Sequence, residues 1–225
     1  MPTWSYSSIK TFDQCPKKYY HLKVAKDVQD EAGEAADYGS AVHEAAELFI
    51  KDGTPIPDKF AYMRPIVERL AALPGEKHPE MKLALRKTPE GLFEPCDFFD
   101  PDCWYRGIVD LLVIDGTRAW MVDYKTGKSA KYADPKQLDL MAGALFVHYP
   151  RLLEIKSALL FVVANQLIPK THIFTDRANY LSVFDAQLER LEHSFDSGVW
   201  NAKSSGLCPW CPVTDCAHWR PKRKR

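Results

Sequence analysis

The sequence has neither a net charge nor a long apolar run. Its 30 lysines and arginines balance 30 aspartates and glutamates, so overall charge does not indicate a nucleic-acid partner, although a local basic stripe is enough to bind phosphate. No run approaches the ~20 apolar residues that span a bilayer. The first residues also lack the basic and apolar segments of a secretory signal. We therefore expect a cytoplasmic protein with no membrane partner.

Length and cysteine content bound the architecture. A chain of 225 residues suits one domain with a small appendage and can bury a core without disulfides. In a reducing compartment, clustered cysteines indicate metal binding more often than disulfides. We expect a single domain over 1–225, with an N-terminal helical element at 1–30, a core at 31–200 and a cysteine-rich tail at 201–225.

Apolar periodicity predicts an α/β chain. Helical spacing marks four segments, at 40–51, 60–73, 135–149 and 177–200. Strand patterns mark five more, at 81–85, 104–114, 118–124, 158–164 and 171–175. Asp115-Gly116, between two apolar runs, is the strongest hairpin signal in the chain. These patterns predict a central mixed sheet flanked by helices.

The Asp115-Gly116 hairpin also predicts which side chains share a face. A two-residue loop there pairs Ile114 with Thr117 and places Asp110 diagonal to Asp123. Because side chains alternate along a strand, Asp110, Asp123 and Lys125 then project from one face. A loop of odd length would not give this arrangement.

Two carboxylates and a lysine on an otherwise apolar hairpin are costly to bury, and a divalent cation offsets that cost. Hard oxygen ligands suit Mg²⁺ or Mn²⁺. Such an ion would polarise a phosphodiester, and Lys125 would orient or deprotonate the attacking water. The alternative is a solvent-facing strand with ordinary charges.

The hairpin carries a family signature. Gly107-Ile108-Val109-Asp110, followed by Val122-Asp123-Tyr124-Lys125-Thr126-Gly127-Lys128, resembles the paired motif of the PD-(D/E)xK nuclease superfamily. Within it, the chain is similar to the RecB-like nuclease domains, which include CRISPR-associated exonucleases. The resemblance implies a restriction-endonuclease-like core with Asp110, Asp123 and Lys125 as catalytic residues.

Further motifs follow in the family's order. Ser5 to Tyr19 resembles the N-terminal element, and Gly39-Ser40-Ala41-Val42-His43 resembles the G-x-x-x-H helix. The resemblance implies a metal bound by His43, Asp110, Asp123 and the backbone carbonyl of Tyr124. It also implies Gln137 as a catalytic residue, although Met141 replaces the tyrosine of the family's Q-x-x-x-Y element. Glu80 matches an upstream acidic residue only loosely, and we do not expect it to be essential.

Three cysteines near the C-terminus have metal-ligand spacing. Cys208, Cys211 and Cys216 form C-x2-C-x4-C, which is a strong metal signal. In RecB-like nucleases with an iron–sulfur cluster, one cysteine precedes the core, so the resemblance implies a [4Fe–4S] cluster on Cys15, Cys208, Cys211 and Cys216 that joins the chain ends. The alternatives are Zn²⁺ on Cys208, Cys211, Cys216 and His218, or free cysteines with a structural role. Cys96 and Cys103 read as ordinary thiols.

Basic residues interleaved with aromatics suit single-stranded nucleic acid, because lysines pair with phosphates and bases stack on rings. Lys17, Lys18 and Tyr19 form such a group near the N-terminus, and Lys128 flanks the hairpin. The terminal run 222–225 adds non-specific attraction. The alternative is a solvated helix face whose aromatics lie in the core.

These features together predict a metal-dependent DNA nuclease. The resemblance favours an exonuclease acting on single-stranded ends in recombination, repair or replication, with a helicase or recombination protein as a partner. One alternative is a non-catalytic nucleic-acid-binding or assembly subunit that retains the fold and the cysteine metal site. Another is an enzyme of unrelated chemistry, in which His43 would not converge on the two aspartates.

Overall fold

A computed structural model describes residues 2–30, 33–131 and 133–221. The chain divides into two compact units. The first, called here the terminal unit, comprises Met1–Gly33 and Phe184–Arg225, and the second, the sheet unit, is Glu34–Val183. The basic run 222–225 lies outside the described residues. None of the helices in the described ranges is both long enough and apolar enough for a membrane span.

Seven α-helices and six strands make up the regular structure of the described residues, together with short π and 3-10 turns. The helices are α1 (Tyr6–Gln14), α2 (Pro16–Tyr19), α3 (Glu34–Asp52), α4 (Arg64–Ala71), α5 (Lys136–His148), α6 (Arg177–Leu181) and α7 (Asp185–Ser197). The strands are β1 (Glu76–Lys87), β2 (Phe93–Pro95), β3 (Tyr105–Asp115), β4 (Arg118–Lys125), β5 (Glu154–Phe161) and β6 (Gln166–Ile173).

The sheet unit contains one mixed sheet with the strand order β2-β1-β3-β4-β5-β6. All neighbouring strands are antiparallel except β4 and β5, which are parallel. Parallel neighbours need a crossover connection, and α5 supplies it. The expected mixed sheet flanked by helices is confirmed.

The β3–β4 hairpin has a different register from the one that we predicted. Asp115 pairs with Arg118, so the loop is Gly116-Thr117, and the predicted pairing of Ile114 with Thr117 is wrong. Gly116 has φ +61°, which glycine adopts without strain. The opposite charges of Asp115 and Arg118 favour the additional cross-strand pair that they form. The loop still has two residues, so the shared face survives. Continuing this register brings Asp110 directly opposite Asp123 rather than diagonal to it.

Helices α3 and α4 cover one part of the sheet with an apolar layer. Its buried members from the helices and strands include Val42, Ala46, Val67, Leu111, Val113, Val122 and Tyr124. Helix α5 is buried over every residue from 137 to 146. A helix that is apolar on all sides belongs in the interior, so a polar side chain on α5 needs a partner there. That requirement places Gln137 and Asp139 in polar networks.

The terminal unit forms from both ends of the chain. Helix α1 begins with a capping box in which Ser5 and Ser8 exchange backbone-to-side-chain hydrogen bonds. The helix predicted over 177–200 is two helices, α6 and α7, and α7 packs against α1. The C-terminal part of the terminal unit begins at Phe184, so it contains α7 as well as the tail predicted at 201–225.

Candidate metal centre

Three side chains from three elements converge in the sheet unit. His43 lies on α3, Glu80 on β1 and Asp110 on β3, and their ligand atoms all lie within 4.8 Å of one another. Asp110 is buried, while His43 and Glu80 are half-buried. Solvent can therefore reach the group from one side. This is the only such group of three among the described residues.

His43 connects two of the predicted metal ligands. Its Nδ1 lies 3.3 Å from Asp110 Oδ1, and its Nε2 lies 3.1 Å from the carbonyl oxygen of Tyr124. The backbone N–H of Tyr124 donates to Asp110 Oδ2 at 2.6 Å. Helix α3 thus presents His43 to the point where β3 and β4 carry Asp110 and the Tyr124 carbonyl, as the motif implied.

Glu80 is the member of this cluster that sequence reasoning undervalued. Pro79 pairs with Leu111 and Met81 with Val109, so Glu80 stands opposite Asp110. Its φ is +50°, a left-handed conformation that is uncommon for a residue other than glycine and that clusters at functional sites. The strained backbone directs the carboxylate toward Asp110 and His43. An acidic residue two positions before an exposed lysine was too weak a signal to predict this.

Asp123 belongs to a second cluster beside the first. Its Oδ1 accepts a hydrogen bond from Gln137 Nε2 at 2.6 Å, and its Oδ2 lies 2.5 Å from Lys125 Nζ. Lys125 Nζ also donates to Gln137 Oε1 at 3.1 Å. The three side chains therefore form a closed triangle. Lys125 is 33 % exposed, so its ammonium group reaches the solvent side.

Burial and mutual repulsion set the proton affinities of the acidic groups. Burial, opposed by Lys125 and reinforced by the Asp110 charge, raises the pKa of Asp123 to about 6. Burial and then Asp110 raise the pKa of Glu80. Burial tends to lower the pKa of His43, but the hydrogen bond and charge of Asp110, with Asp123 and Glu80, raise it overall. The site is therefore built to hold positive charge.

The donor set fits a hard divalent cation. Two carboxylates, an imidazole and a main-chain carbonyl converge on one partly open point, and oxygen-rich sites of this kind suit Mg²⁺ or Mn²⁺. Asp123 lies next to this point but is held by Gln137 and Lys125. The structure therefore brings together the predicted His43, Asp110 and Tyr124 carbonyl, adds Glu80, and keeps Asp123 with Lys125 and Gln137.

The raised pKa of Asp123 predicts a pH-dependent cost to the metal-free fold. Because the folded pKa of about 6 exceeds the ordinary value of 3.8, the cost is absent below about pH 4 and full above about pH 6. With EDTA present, Asp123→Asn should stabilise the protein by about 1–2 kcal/mol near neutral pH, less than the full shift because the Lys125 pair is lost. Thermal melts at several pH values measure this. An equal gain at all pH values, or the same gain in the exposed Glu68→Gln, would contradict it.

A second buried polar network, separate from the Gln137 contacts, connects α5 to the sheet. Asp139, two residues after Gln137, accepts from Lys170 Nζ at 2.7 Å and lies 3.0 Å from His172 Nε2. His172 is fully buried and its Nδ1 lies 3.3 Å from Ser157 Oγ. Burial lowers the pKa of His172 despite its Asp139 partner. This network ties α5 to β5 and β6, while Gln137 ties it to β4.

Removing Asp139 should destabilise the sheet unit. Asp139→Ala leaves the buried His172 without its acceptor, and we expect a loss of about 3 kcal/mol in the free energy of unfolding. Urea denaturation measures it. Lys170→Met is the matched comparison: Lys170 is 39 % exposed, and its loss should cost distinctly less. Equal costs for the two variants would argue against this role for the network.

The four cysteines of the predicted cluster lie in the terminal unit. Cys15, Cys208, Cys211 and Cys216 line one cavity of about 270 Å³, together with Lys18 and His218 among others. Backbone N–H groups point at two of the sulfurs: Lys203 N lies 3.4 Å from Cys15 Sγ, and Ser205 N lies 3.3 Å from Cys208 Sγ. Among the described residues, no three thiols are as tightly grouped as the His43 cluster. The chain ends therefore meet at a thiol-lined cavity.

The predicted nucleic-acid residues are not equally available. Tyr19 is only 2 % exposed, and its ring stacks on Trp200 with centroids 5.9 Å apart. Its faces are therefore not open to bases, and we remove Tyr19 from the predicted surface. Lys18 pairs with Asp30 at 3.0 Å, Lys17 is half-buried, and Lys128 is exposed.

Comparisons with solved structures identify the fold. The chain aligns with SSO0001 at a TM-score of 0.53 and 12 % identity, covering 97 % of this chain and 87 % of that one. It aligns with a protein named as a candidate exonuclease from Eubacterium rectale at a TM-score of 0.54 and 15 % identity, covering 100 % and 90 %. At these identities the likeness concerns the fold alone.

Sequence comparison identifies the family. No curated protein matches the chain significantly. The model of the PD-(D/E)XK nuclease superfamily matches residues 3–216, which is nearly the whole chain and includes every residue of the two clusters. Nucleases of this superfamily use divalent metals and act on nucleic acid, and the sheet, the hairpin and the acidic cluster described above agree with that chemistry. The chain belongs to the PD-(D/E)XK nuclease superfamily.

Proposed function

We propose that the protein is a metal-dependent deoxyribonuclease, an exonuclease that acts on single-stranded ends. The observation that carries the proposal is the convergence of His43, Glu80 and Asp110 within 4.8 Å, beside the Asp123–Lys125–Gln137 triangle. A non-catalytic subunit has no chemical need for both clusters. The resemblance of the Asp110 and Asp123-Tyr124-Lys125 motifs to those of RecB-like nuclease domains favours an exonuclease over a sequence-specific endonuclease.

Each side chain has a definable task. His43, Glu80, Asp110 and the Tyr124 carbonyl would hold Mg²⁺ or Mn²⁺, with Asp123 as an adjacent ligand. The ion, when bound, supplies Lewis acidity at the scissile phosphate. Lys125 orients the attacking water and offsets the negative charge that develops on the phosphate. Gln137 positions both side chains, because its amide nitrogen donates to Asp123 and its amide oxygen accepts from Lys125.

We also propose that the terminal unit holds a structural metal group. Four thiols line one cavity, and backbone N–H groups approach the sulfurs of Cys15 and Cys208, an interaction that tunes iron–sulfur clusters. We assign a [4Fe–4S] cluster to Cys15, Cys208, Cys211 and Cys216. His218 lines the same cavity, so Zn²⁺ on His218 and the three C-terminal cysteines is the alternative that the experiment on Cys15 below separates.

Cleavage of matched substrates tests the proposed specificity. End-labelled single-stranded DNA, the same sequence as a blunt duplex, the corresponding RNA and a circular single strand are each incubated with Mg²⁺ or Mn²⁺. We expect stepwise shortening of linear single-stranded DNA and an intact circle. Cleavage of the circle would show an endonuclease and contradict the proposed exonuclease activity. Preferential cleavage of RNA would contradict the proposed DNA substrate. The proposed role in recombination or repair, with a helicase as a partner, requires that the linear single strand is the preferred substrate.

A further inference from the structure

An exposed group of aromatic and basic residues lies beside the metal centre and has no part in the catalysis proposed above. Phe99 is 77 % exposed, and Phe98 lies next to it with ring centroids 5.3 Å apart at 87°. A phenylalanine this exposed contributes little to the core, although burying its ring would stabilise the fold. We call the group formed by Lys82, Phe98, Phe99, Arg106 and Ile108 the aromatic ledge.

Two cations lie over the rings of the ledge. Lys82 Nζ lies 5.6 Å from the Phe98 ring centroid and 6.0 Å from that of Phe99. The Arg106 guanidinium lies 5.6 Å and 5.7 Å from the same two centroids. Cation–π contacts at exposed sites are individually weak and favour this arrangement of the rings. The contacts therefore favour the position in which the rings are displayed.

The loop that carries the rings is itself pinned to the sheet. Its two ends hydrogen-bond to β1, through Cys96 N to Ala84 O at 3.1 Å and Trp104 N to Leu85 O at 2.7 Å. Between them, Arg106 Nη2 donates to the Asp100 carbonyl at 3.1 Å, and Asp102 N donates to Asp100 Oδ1 at 2.8 Å. A loop held in its binding conformation loses little entropy when a ligand binds.

The ledge lies next to the catalytic carboxylates along the strands. Lys82 pairs with Ile108 across β1 and β3, and both side chains are exposed. Lys82 follows Glu80 by two residues on β1, and Ile108 precedes Asp110 by two residues on β3. Two residues of a strand span about 7 Å. A polymer bound at the metal centre therefore has the ledge within reach.

Charges of both signs surround the rings, so the surface is not a simple phosphate-binding patch: Lys82 and Arg106 are cationic, and two aspartates oppose them. Asp97 and Asp102 are exposed on the same loop and repel phosphate groups. The ring faces carry no charge, and bases stack on them regardless of sequence. Bases are available for stacking in a single strand but not inside a duplex. We propose that the aromatic ledge binds unpaired bases of the single-stranded nucleic acid that enters the metal centre, an inference that rests on the proposed function.

Binding measured without cleavage tests the ledge. In a Lys125→Ala background, fluorescence anisotropy follows a short labelled single strand and the corresponding blunt duplex. Stacking on one aromatic residue predicts that Phe99→Ala weakens single-strand binding about tenfold, or ~1.4 kcal/mol. It should leave duplex binding and the salt dependence of single-strand binding unchanged, because no phosphate contact is lost. Phe99→Trp should bind as the parent does.

A matched control and a second readout keep the two proposals separable. Leu92 is 68 % exposed and lies outside the ledge, so Leu92→Ala should bind like the parent. If the wild-type protein cleaves single strands but Phe99→Ala binds them normally, the ledge assignment is wrong and the nuclease stands. If the protein neither binds nor cleaves any nucleic acid, the proposed function itself fails. An equal loss of duplex binding in Phe99→Ala would also overturn the ledge.

Discussion

Lys125→Ala should lose at least about 1000-fold in cleavage rate while keeping its fold. Removing a group that stabilises developing charge in a preorganised site costs about 100- to 1000-fold, and Lys125 also orients the water. Its side chain is 33 % exposed, so its loss leaves no cavity in the core. Single-turnover cleavage of a labelled strand, with a thermal melt on the same sample, measures both quantities.

Another lysine provides the control for this variant. Lys156 is exposed on β5 and pairs weakly with Glu154 at 4.0 Å, so Lys156→Ala removes the same charge from the same sheet at a distance from the site. It should cleave at close to the wild-type rate. A Lys125→Ala protein with more than about a tenth of wild-type activity would contradict the role assigned to Lys125, because so small a change is only ~1.4 kcal/mol.

Cys15→Ser should remove the proposed cluster and destabilise the terminal unit. The link joins residues far apart in the chain, so it closes a long loop, and its loss should cost several kcal/mol. Protein purified without oxygen should be brown in the wild type and colourless in Cys15→Ser. A Cys15→Ser protein that still folds should still cleave, since no catalytic ligand lies in this unit.

The zinc alternative predicts a different result for the same variant. Stoichiometric zinc that is unchanged in Cys15→Ser, and lost in His218→Ala, would exclude the iron–sulfur assignment and leave the nuclease assignment intact. Cys96→Ser is the control, because Cys96 belongs to the sheet unit and does not line the thiol-lined cavity. Elemental analysis of the three variants separates these outcomes.

The catalytic hairpin was predictable because its evidence is local. Face-sharing depends only on whether the loop has an even number of residues, so Asp110 and Asp123 stayed on one face although the loop is Gly116-Thr117 rather than Asp115-Gly116. His43 and Gln137 came from motif resemblance, and the structure brings both to the two aspartates. Short-range patterns and a shared family signature therefore gave most of the site.

What the sequence did not reveal depends on long-range packing or on backbone conformation. Glu80 reaches His43 through a left-handed backbone at φ +50°, which no propensity of glutamate predicts. The sequence predicts Tyr19 to stack on bases, but in the structure its ring stacks on Trp200 instead. The Asp139–His172 pair joins residues 33 positions apart, and neither has a motif. In each case a distant partner decides whether a polar or aromatic side chain is buried or available.

The most direct test of the account is cleavage of end-labelled single-stranded DNA by the wild type and by Asp110→Asn, Glu80→Gln and His43→Ala, each with Mg²⁺ or Mn²⁺ and with EDTA. The account predicts metal-dependent shortening by the wild type, none with EDTA, and a strong loss in all three variants that excess Mn²⁺ only partly restores in Glu80→Gln and His43→Ala. Undiminished cleavage in EDTA, or full activity in Asp110→Asn, would contradict the claim that these residues form a catalytic metal centre.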